Sequence, residues 1–288
     1  MAKLKKSKIS IIVLILSIMA MVTSFFHSLK DDFIEKVETE FVKKPLQQEE
    51  NLTMVDIEHL PRNVQKYIVL TGAVGKPKIQ NLRLEFDAEM FSKPGAKPMI
   101  SDVVQYSFFG SYSRVFFLKT SMFMIPTQVL HAYIGSSASM VVRIASLFSI
   151  VHLSGPELTS TETVTVLNDL CVFAPSAMTD RRLTWREIDS LRTEVTFLNN
   201  QFTVKALLIF NERGELVDFE SDDRPDVTGK PGRQRVKWST PLRDYKETGG
   251  MFLTSVGEAV YHLPEGNFSY GTFRLRKIEF NLKEFRDK

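Results

Sequence analysis

The chain has 288 residues, 43% hydrophobic and 25% charged. These are ordinary globular proportions and exclude disorder as the default state. Of its 37 basic side chains, Lys3, Lys5, Lys6 and Lys8 precede the first apolar run, leaving 33 to face 34 acidic ones over residues 9–288. The net charge of +3 therefore reflects a basic tail and no basic binding surface, so a nucleic-acid partner is not expected. Cys171 is the only cysteine, which excludes an internal disulfide and a cysteine-built zinc site and leaves a small buried hydrophobe.

Residues 9–26 carry no charge, and as a helix they extend about 27 Å, close to the hydrocarbon thickness of a bilayer. Lysines precede this run and Lys30, Asp31 and Asp32 follow it. The positive-inside rule then places the N-terminus in the cytoplasm and the rest outside. Residues 1–29 are read as a basic tail and transmembrane signal anchor. The rival is a cleaved signal peptide, with Val22-Thr23-Ser24 as its weak cleavage site. Residues 30–56 follow as an amphipathic helix and linker. Phe33, Ile34, Val37, Phe41 and Val42 have helical spacing, in a segment that continues the membrane helix or lies on the bilayer surface. Pro45 ends it, and a polar stretch runs to Asn51.

Residues 57–288 read as one β-rich domain. A helix starts near Pro61 with Leu60, Val64, Tyr67, Ile68 and Thr71 on one face, and Gly72 and Gly75 stop it. The period then becomes two: Leu82, Leu84, Phe86, Ala88 and Met90 alternate with Arg83, Glu85, Asp87 and Glu89, a half-buried strand. Residues 103–109 and 114–119 are strand-like, the latter apolar on both faces. Residues 122–140 give no clear period. Ile144, Leu147, Phe148 and Val151 suggest a short helix. Residues 156–169 suggest another, weakened by β-branched content. Alternation at 191–197, a hairpin joining 202–210 to 216–220 through Asn211-Glu212-Arg213-Gly214, and strands at 234–238, 252–261 and 272–282 complete a meander. A phase slip between Leu275 and Ile278 marks a bulge. The fold class expected is α+β, a large curved antiparallel sheet of half-barrel type with two or three packed helices, preceded by one transmembrane helix.

The sequence holds few chemical motifs. His27, His59, His131, His152 and His262 are scattered without metal-ligand spacing, so no metal and no cofactor are expected, and each histidine reads as structural or surface. No G-x-S-x-G elbow or phosphate-binding loop occurs. Glu162 and Asp169 stand two helical turns apart, about 10 Å along one face, with Thr165 between them. Such a pair serves acid–base chemistry if burial raises one pKa; the plainer reading is a solvated helix face. Asp222, Asp223, Arg224 and Asp226, followed by Arg233, Arg235 and Lys237, read first as cross-strand ion pairs. The same arginines suit an anionic head group.

Several blocks resemble an uncharacterised bacterial family, a domain of unknown function found behind membrane helices. They are residues 60–67 running into Gly72 and Gly75-Lys76-Pro77; Glu162-Thr163-Val164-Thr165 with Asn168-Asp169-Leu170-Cys171 and Ala174-Pro175-Ser176-Ala177; Trp185 with Ile188-Asp189; Phe210-Asn211-Glu212 with Gly214-Glu215-Leu216; Ser221-Asp222-Asp223-Arg224; and Trp238-Ser239-Thr240-Pro241 with Asp244-Tyr245 and Tyr270-Gly271. The resemblance covers roughly residues 57–282. It departs near Met99, where relatives carry Trp or Tyr, so a cavity wall over 91–101 is in question. The β pattern is also similar to lipoprotein-carrier half-barrels, a likeness of fold alone.

The expected function is a membrane-tethered extracytoplasmic module binding a lipid or other apolar ligand without catalysis. Its ligand-binding candidates are Glu162, Asp169, Trp185, Arg224, Trp238 and Tyr245. Two alternatives stand beside it: a structural protein docking a membrane partner, and an envelope hydrolase or transferase using Glu162 and Asp169. The expected location is the bacterial cytoplasmic membrane, single-pass through residues 9–26.

Overall fold

The strict alternation that starts at Leu82 becomes the central strand of one continuous antiparallel sheet. A computed structural model describes residues 28–145, 148–224 and 236–287; the expected membrane helix at 9–26 lies outside them. Fourteen strands, β1 (Asn81–Met90), β2 (Met99–Phe108), β3 (Ser113–Met122), β4 (Ile125–Ile134), β5 (Ser137–Ile144), β6 (Phe148–Ser154), β7 (Leu183–Asp189), β8 (Arg192–Asn199), β9 (Phe202–Phe210), β10 (Leu216–Ser221), β11 (Trp238–Ser239), β12 (Leu242–Thr248), β13 (Met251–Leu263) and β14 (Gly266–Phe280), lie in the order β6-β5-β4-β3-β2-β1-β14-β13-β11-β10-β9-β8-β7, with β12 also pairing β13. Two meanders, β1 (Asn81–Met90) to β6 (Phe148–Ser154) and β7 (Leu183–Asp189) to β10 (Leu216–Ser221), are closed together by β13 (Met251–Leu263) and β14 (Gly266–Phe280). Four helices accompany the sheet, α1 (Leu29–Lys43), α2 (Met54–Ile57), α3 (Arg62–Leu70) and α4 (Pro156–Phe173), one more than the upper sequence estimate. Among the described residues no helix is long and apolar enough to cross a membrane.

The expected phase slip is a bulge: Glu85 pairs with Lys277 and Phe86 with Leu275, leaving Arg276 as the extra residue. The short helix read from Ile144, Phe148 and Val151 is corrected. Those residues belong to the hairpin of β5 (Ser137–Ile144) and β6, the outermost pair of the sheet. Val141, Val142, Ile144, Ile150 and Val151 are β-branched, and that propensity prevails over a coincidental helical spacing. The ambiguous stretch 122–140 resolves into the ends of β3 (Ser113–Met122) and β5 with β4 (Ile125–Ile134) between them.

Both faces of the sheet are covered, which explains why residues 114–119 are apolar on both sides. The outer face of β2 (Met99–Phe108), β3 and β4 receives α1 (Leu29–Lys43). Phe33, Val37 and Phe41 pack there on Tyr106, Phe108, Val115 and Phe117. The Phe33 and Phe117 rings stack with centroids 5.3 Å apart. Ser28 and Asp31 form a capping box that starts the helix. The apolar face of α1 is thus spent on the sheet, and a lipid surface is not what covers it. Arg83 is covered as well, although alternation points it outward: only 1% exposed, it is held by Glu85 at 2.6 Å and Glu279 at 3.1 Å.

The inner face receives α3 (Arg62–Leu70) and α4 (Pro156–Phe173), which form the main core with the sheet. Pro61 is the N-cap of α3 and the helix starts at Arg62, one residue later than a proline in the first helical position implies. Tyr67 ties the helices together by donating to the carbonyls of Cys171 and Val172, at 3.1 and 3.2 Å. Cys171 is fully buried, and burial pushes its thiol pKa well up, so it stays an unreactive hydrophobe. At the Asn211–Gly214 turn, Gly214 has φ +92°, and a Cβ there would meet Lys66 Cγ at 2.9 Å. Gly214→Ala is expected to destabilise the fold by about 1–2 kcal/mol, read as a lower urea midpoint at unchanged slope.

Candidate functional site

A cavity of about 640 Å³ lies between α4 and the inner face of the sheet, in the size range of sites that hold small ligands. Its wall follows the pleat. Along β3 the side chains that line it are Arg114, Phe116, Leu118, Thr120 and Met122, every second residue. They span eight positions, about 27 Å. On the neighbouring strands Leu118, Val129 and Val142 form one apolar cross-strand row. Phe86, Phe273 and Leu275 continue the wall on β1 and β14. The region in question near Met99 does contribute: Phe91, Lys93, Pro94 and Met99 line the cavity, and the exposure of Lys93 and Pro94 places the mouth there.

The opposite end is a buried polar deck on α4. Asp169 accepts from Arg114 Nε at 2.7 Å and from Gln105 Nε2 at 2.8 Å. Glu162 faces His131 Nδ1 at 3.4 Å, Arg114 at 3.6 Å and Arg224 at 3.8 Å. Arg224 donates to Thr165 Oγ1 at 2.7 Å, and its guanidinium lies 4.3 Å from the centre of the Trp238 ring. The helix face expected to be solvated is therefore buried, with Glu162 3% and Asp169 8% exposed. Burial alone would raise the Glu162 pKa, but His131, Arg224 and Arg114 outweigh it and hold the carboxyl at about 2.

That depression has a sign. Glu162 titrates below its ordinary 4.5 only in the folded chain, so its contribution to stability is present above pH 4.5 and is lost as pH falls toward 2. Glu162→Gln is expected to flatten the stability curve over that window. Urea unfolding at successive pH values checks this, and an unchanged curve would contradict it.

Four of the six residues proposed from sequence meet in this cavity: Glu162, Asp169, Arg224 and Trp238. Two do not. Trp185 lies on edge strand β7, half-buried against the main core, and Tyr245 on β12 (Leu242–Thr248) donates to the Leu216 carbonyl at 2.8 Å. The favoured ion-pair reading of the acidic and basic cluster holds for Lys237, which meets Glu220 at 2.5 Å. It fails for Arg224, which turns into the cavity; Asp226, Arg233 and Arg235 lie outside the described residues. Gln105, Arg114 and His131 are site residues that the sequence did not reveal. Among the described residues no group of three His, Cys, Asp or Glu side chains could hold a metal ion.

The sequence profile of DUF6544, a family of unknown function, matches residues 50–273. The chain belongs to that family. The match covers all the residues that line the cavity except Leu275, and most of the sheet of this DUF6544 domain, and begins seven residues before the boundary read from the sequence. No curated protein matches the chain. Among solved structures it is similar to a DUF1329 family protein from Desulfovibrio piger, at 12% identity and a TM-score of 0.43, covering 76% of this chain and 92% of that one. It is also similar to a LolA superfamily protein from Nitrosomonas europaea, at 11% identity and a TM-score of 0.41, covering 78% and 93%.

Proposed function

We propose that this chain is a membrane-tethered, extracytoplasmic module of the bacterial cytoplasmic membrane that holds a lipid or another apolar ligand and performs no catalysis. The observation that carries the reading is the 640 Å³ cavity, whose strand walls are apolar along their middle. The acid–base alternative is disfavoured by Glu162. A general acid must still carry its proton near neutral pH, and this carboxyl is ionised and faces three basic groups.

Two features favour a membrane beside the mouth. Phe33, early in α1, stacks on Phe117, whereas Phe41, late in α1, packs on Phe108. Phe117 pairs with Val104 and Phe108 with Ser113, so α1 starts nearer the mouth end of β2 and β3. Residues 9–26 would thus attach on the mouth side. The hairpin tip between β3 and β4 lies at the same end. Its two residues, Phe123 and Met124, are 89% and 94% exposed and have φ of 51° and 65°. Turns of this shape favour Asn-Gly, and each left-handed side chain costs about 1–2 kcal/mol. A strained, fully exposed Phe-Met pair beside an apolar mouth suits contact with a bilayer.

The test is titration of the full-length chain with an uncharged fluorescent acyl probe. Saturable uptake that an excess of unlabelled lipid reverses supports the reading, and no uptake contradicts it. Phe123→Glu combined with Met124→Glu is expected to slow uptake from anionic vesicles at least fivefold and to leave the unfolding midpoint unchanged. An unaltered rate would remove the tip from the proposal.

A further inference from the structure

The deck on α4 has hydrogen-bonding capacity that the protein does not use. Among the described residues, three buried polar atoms of cavity-lining side chains have no partner: Arg224 Nε, Asn168 Oδ1 and Thr240 Oγ1. Their residues are 8%, 7% and 8% exposed. They belong to one neighbourhood. Arg224 bonds Thr165, one turn before Asn168 on α4, and lies over Trp238, two residues before Thr240. One atom is a donor, one an acceptor, and a hydroxyl can be either. A buried polar group without a partner is costly, and native proteins supply one.

The four carboxylate and guanidinium groups of the deck match one another, two against two, and the remaining ionisable group, His131, already faces Glu162 at 3.4 Å. Arg114 and Arg224 face Glu162, and Arg114 also bonds Asp169. A further full charge delivered there would be buried without a counterion, which is strongly unfavourable. From Arg114 the lining of β3 then runs through Phe116 and Leu118 toward Met122 at the mouth, a polar end followed by an apolar channel.

We propose that the ligand is an amphiphile with an uncharged head carrying both hydrogen-bond donors and acceptors, bound head-first, with the head on Arg224, Asn168 and Thr240 and the acyl chain running toward the mouth. This rests on the lipid-binding reading and adds the class of head and the direction of the chain.

Two measurements on the full-length chain test it. In the first, affinities are compared for four ligands with an 18-carbon chain: monooleoylglycerol, oleate, oleylamine and octadecene. Monooleoylglycerol is expected to bind at least tenfold tighter than the other three. Asn168→Leu and Thr240→Val are each expected to cut that preference at least threefold without weakening octadecene. The second needs no change in the deck. The chain has two tryptophans, Trp185 and Trp238, and in Trp185→Phe only Trp238, in the cavity, reports. Monoacylglycerol brominated near the head is expected to quench it more than the same lipid brominated at the chain end.

Octadecene binding as tightly as monooleoylglycerol would overturn the proposal and mean that water satisfies the three atoms. Tighter oleate or oleylamine would overturn the uncharged head. Stronger quenching from the chain end would overturn the direction. Binding of none of the four, by a chain that also takes up no fluorescent probe, would remove the underlying lipid reading as well.

Discussion

Arg114→Met is expected to destabilise the domain by about 3–5 kcal/mol, among the largest losses a single substitution should cause here. Arg114 is 8% exposed and is the link between both buried carboxylates of α4. Its Nε lies 2.7 Å from Asp169, its guanidinium 3.6 Å from Glu162, and its charge 4.8 Å from the centre of the Phe116 ring. Methionine keeps much of the volume and removes the charge, so two carboxylates are left buried with their compensation reduced. Gln105 and His131 remain, and Arg224 still faces Glu162 at 3.8 Å, but no cation is left beside Asp169 and none bridges the two carboxylates. Adding Asp169→Asn to Arg114→Met should recover part of the loss, because the uncompensated charge goes with it. Urea unfolding of the three variants decides the matter. A loss below about 1 kcal/mol for Arg114→Met would mean that the deck is hydrated and its charges screened.

The second large effect is on binding. Val129→Trp is expected to weaken any acyl ligand at least tenfold while changing stability by less than about 1 kcal/mol. Val129 sits between Leu118 and Val142 in the cross-strand row of the cavity wall and is only half-buried. An indole there enters the cavity and not the packed core, so it removes ligand volume without overpacking. The ligand-induced rise in unfolding midpoint, which follows from binding to the folded state alone, should disappear with it. A variant that keeps that rise would show that the ligand lies elsewhere.

The sequence made legible what local periodicity encodes. The alternation from Leu82 to Met90 placed β1, the slip before Ile278 placed the bulge, and Asn211 to Gly214 placed a hairpin, because each signal is contained within a few residues. Ile144 and Phe148 misled because the outermost two strands, β5 and edge strand β6, copied a helical spacing over two turns. Helix α1 was visible, but what covers its apolar face was not, since that depends on Tyr106 and Phe117 far along the chain. The same limit applies to the site. Glu162 and Asp169 stood out because seven residues of helix bring them to one face. Their partners did not: Arg114 is 55 residues from Asp169, and it looked like the first residue of an apolar strand. Trp185 and Tyr245 stand in blocks that resemble the family. One packs at a sheet edge and the other braces the Leu216 carbonyl, which are structural tasks a motif cannot distinguish from binding.

Native mass spectrometry of the full-length chain, purified gently and set beside Val129→Trp, tests the central claim most directly. A cavity that holds an amphiphile requires an additional mass on the parent chain, matching an acyl lipid, that is absent from the variant. A parent chain carrying no such mass, or the same mass carried equally by Val129→Trp, would contradict it.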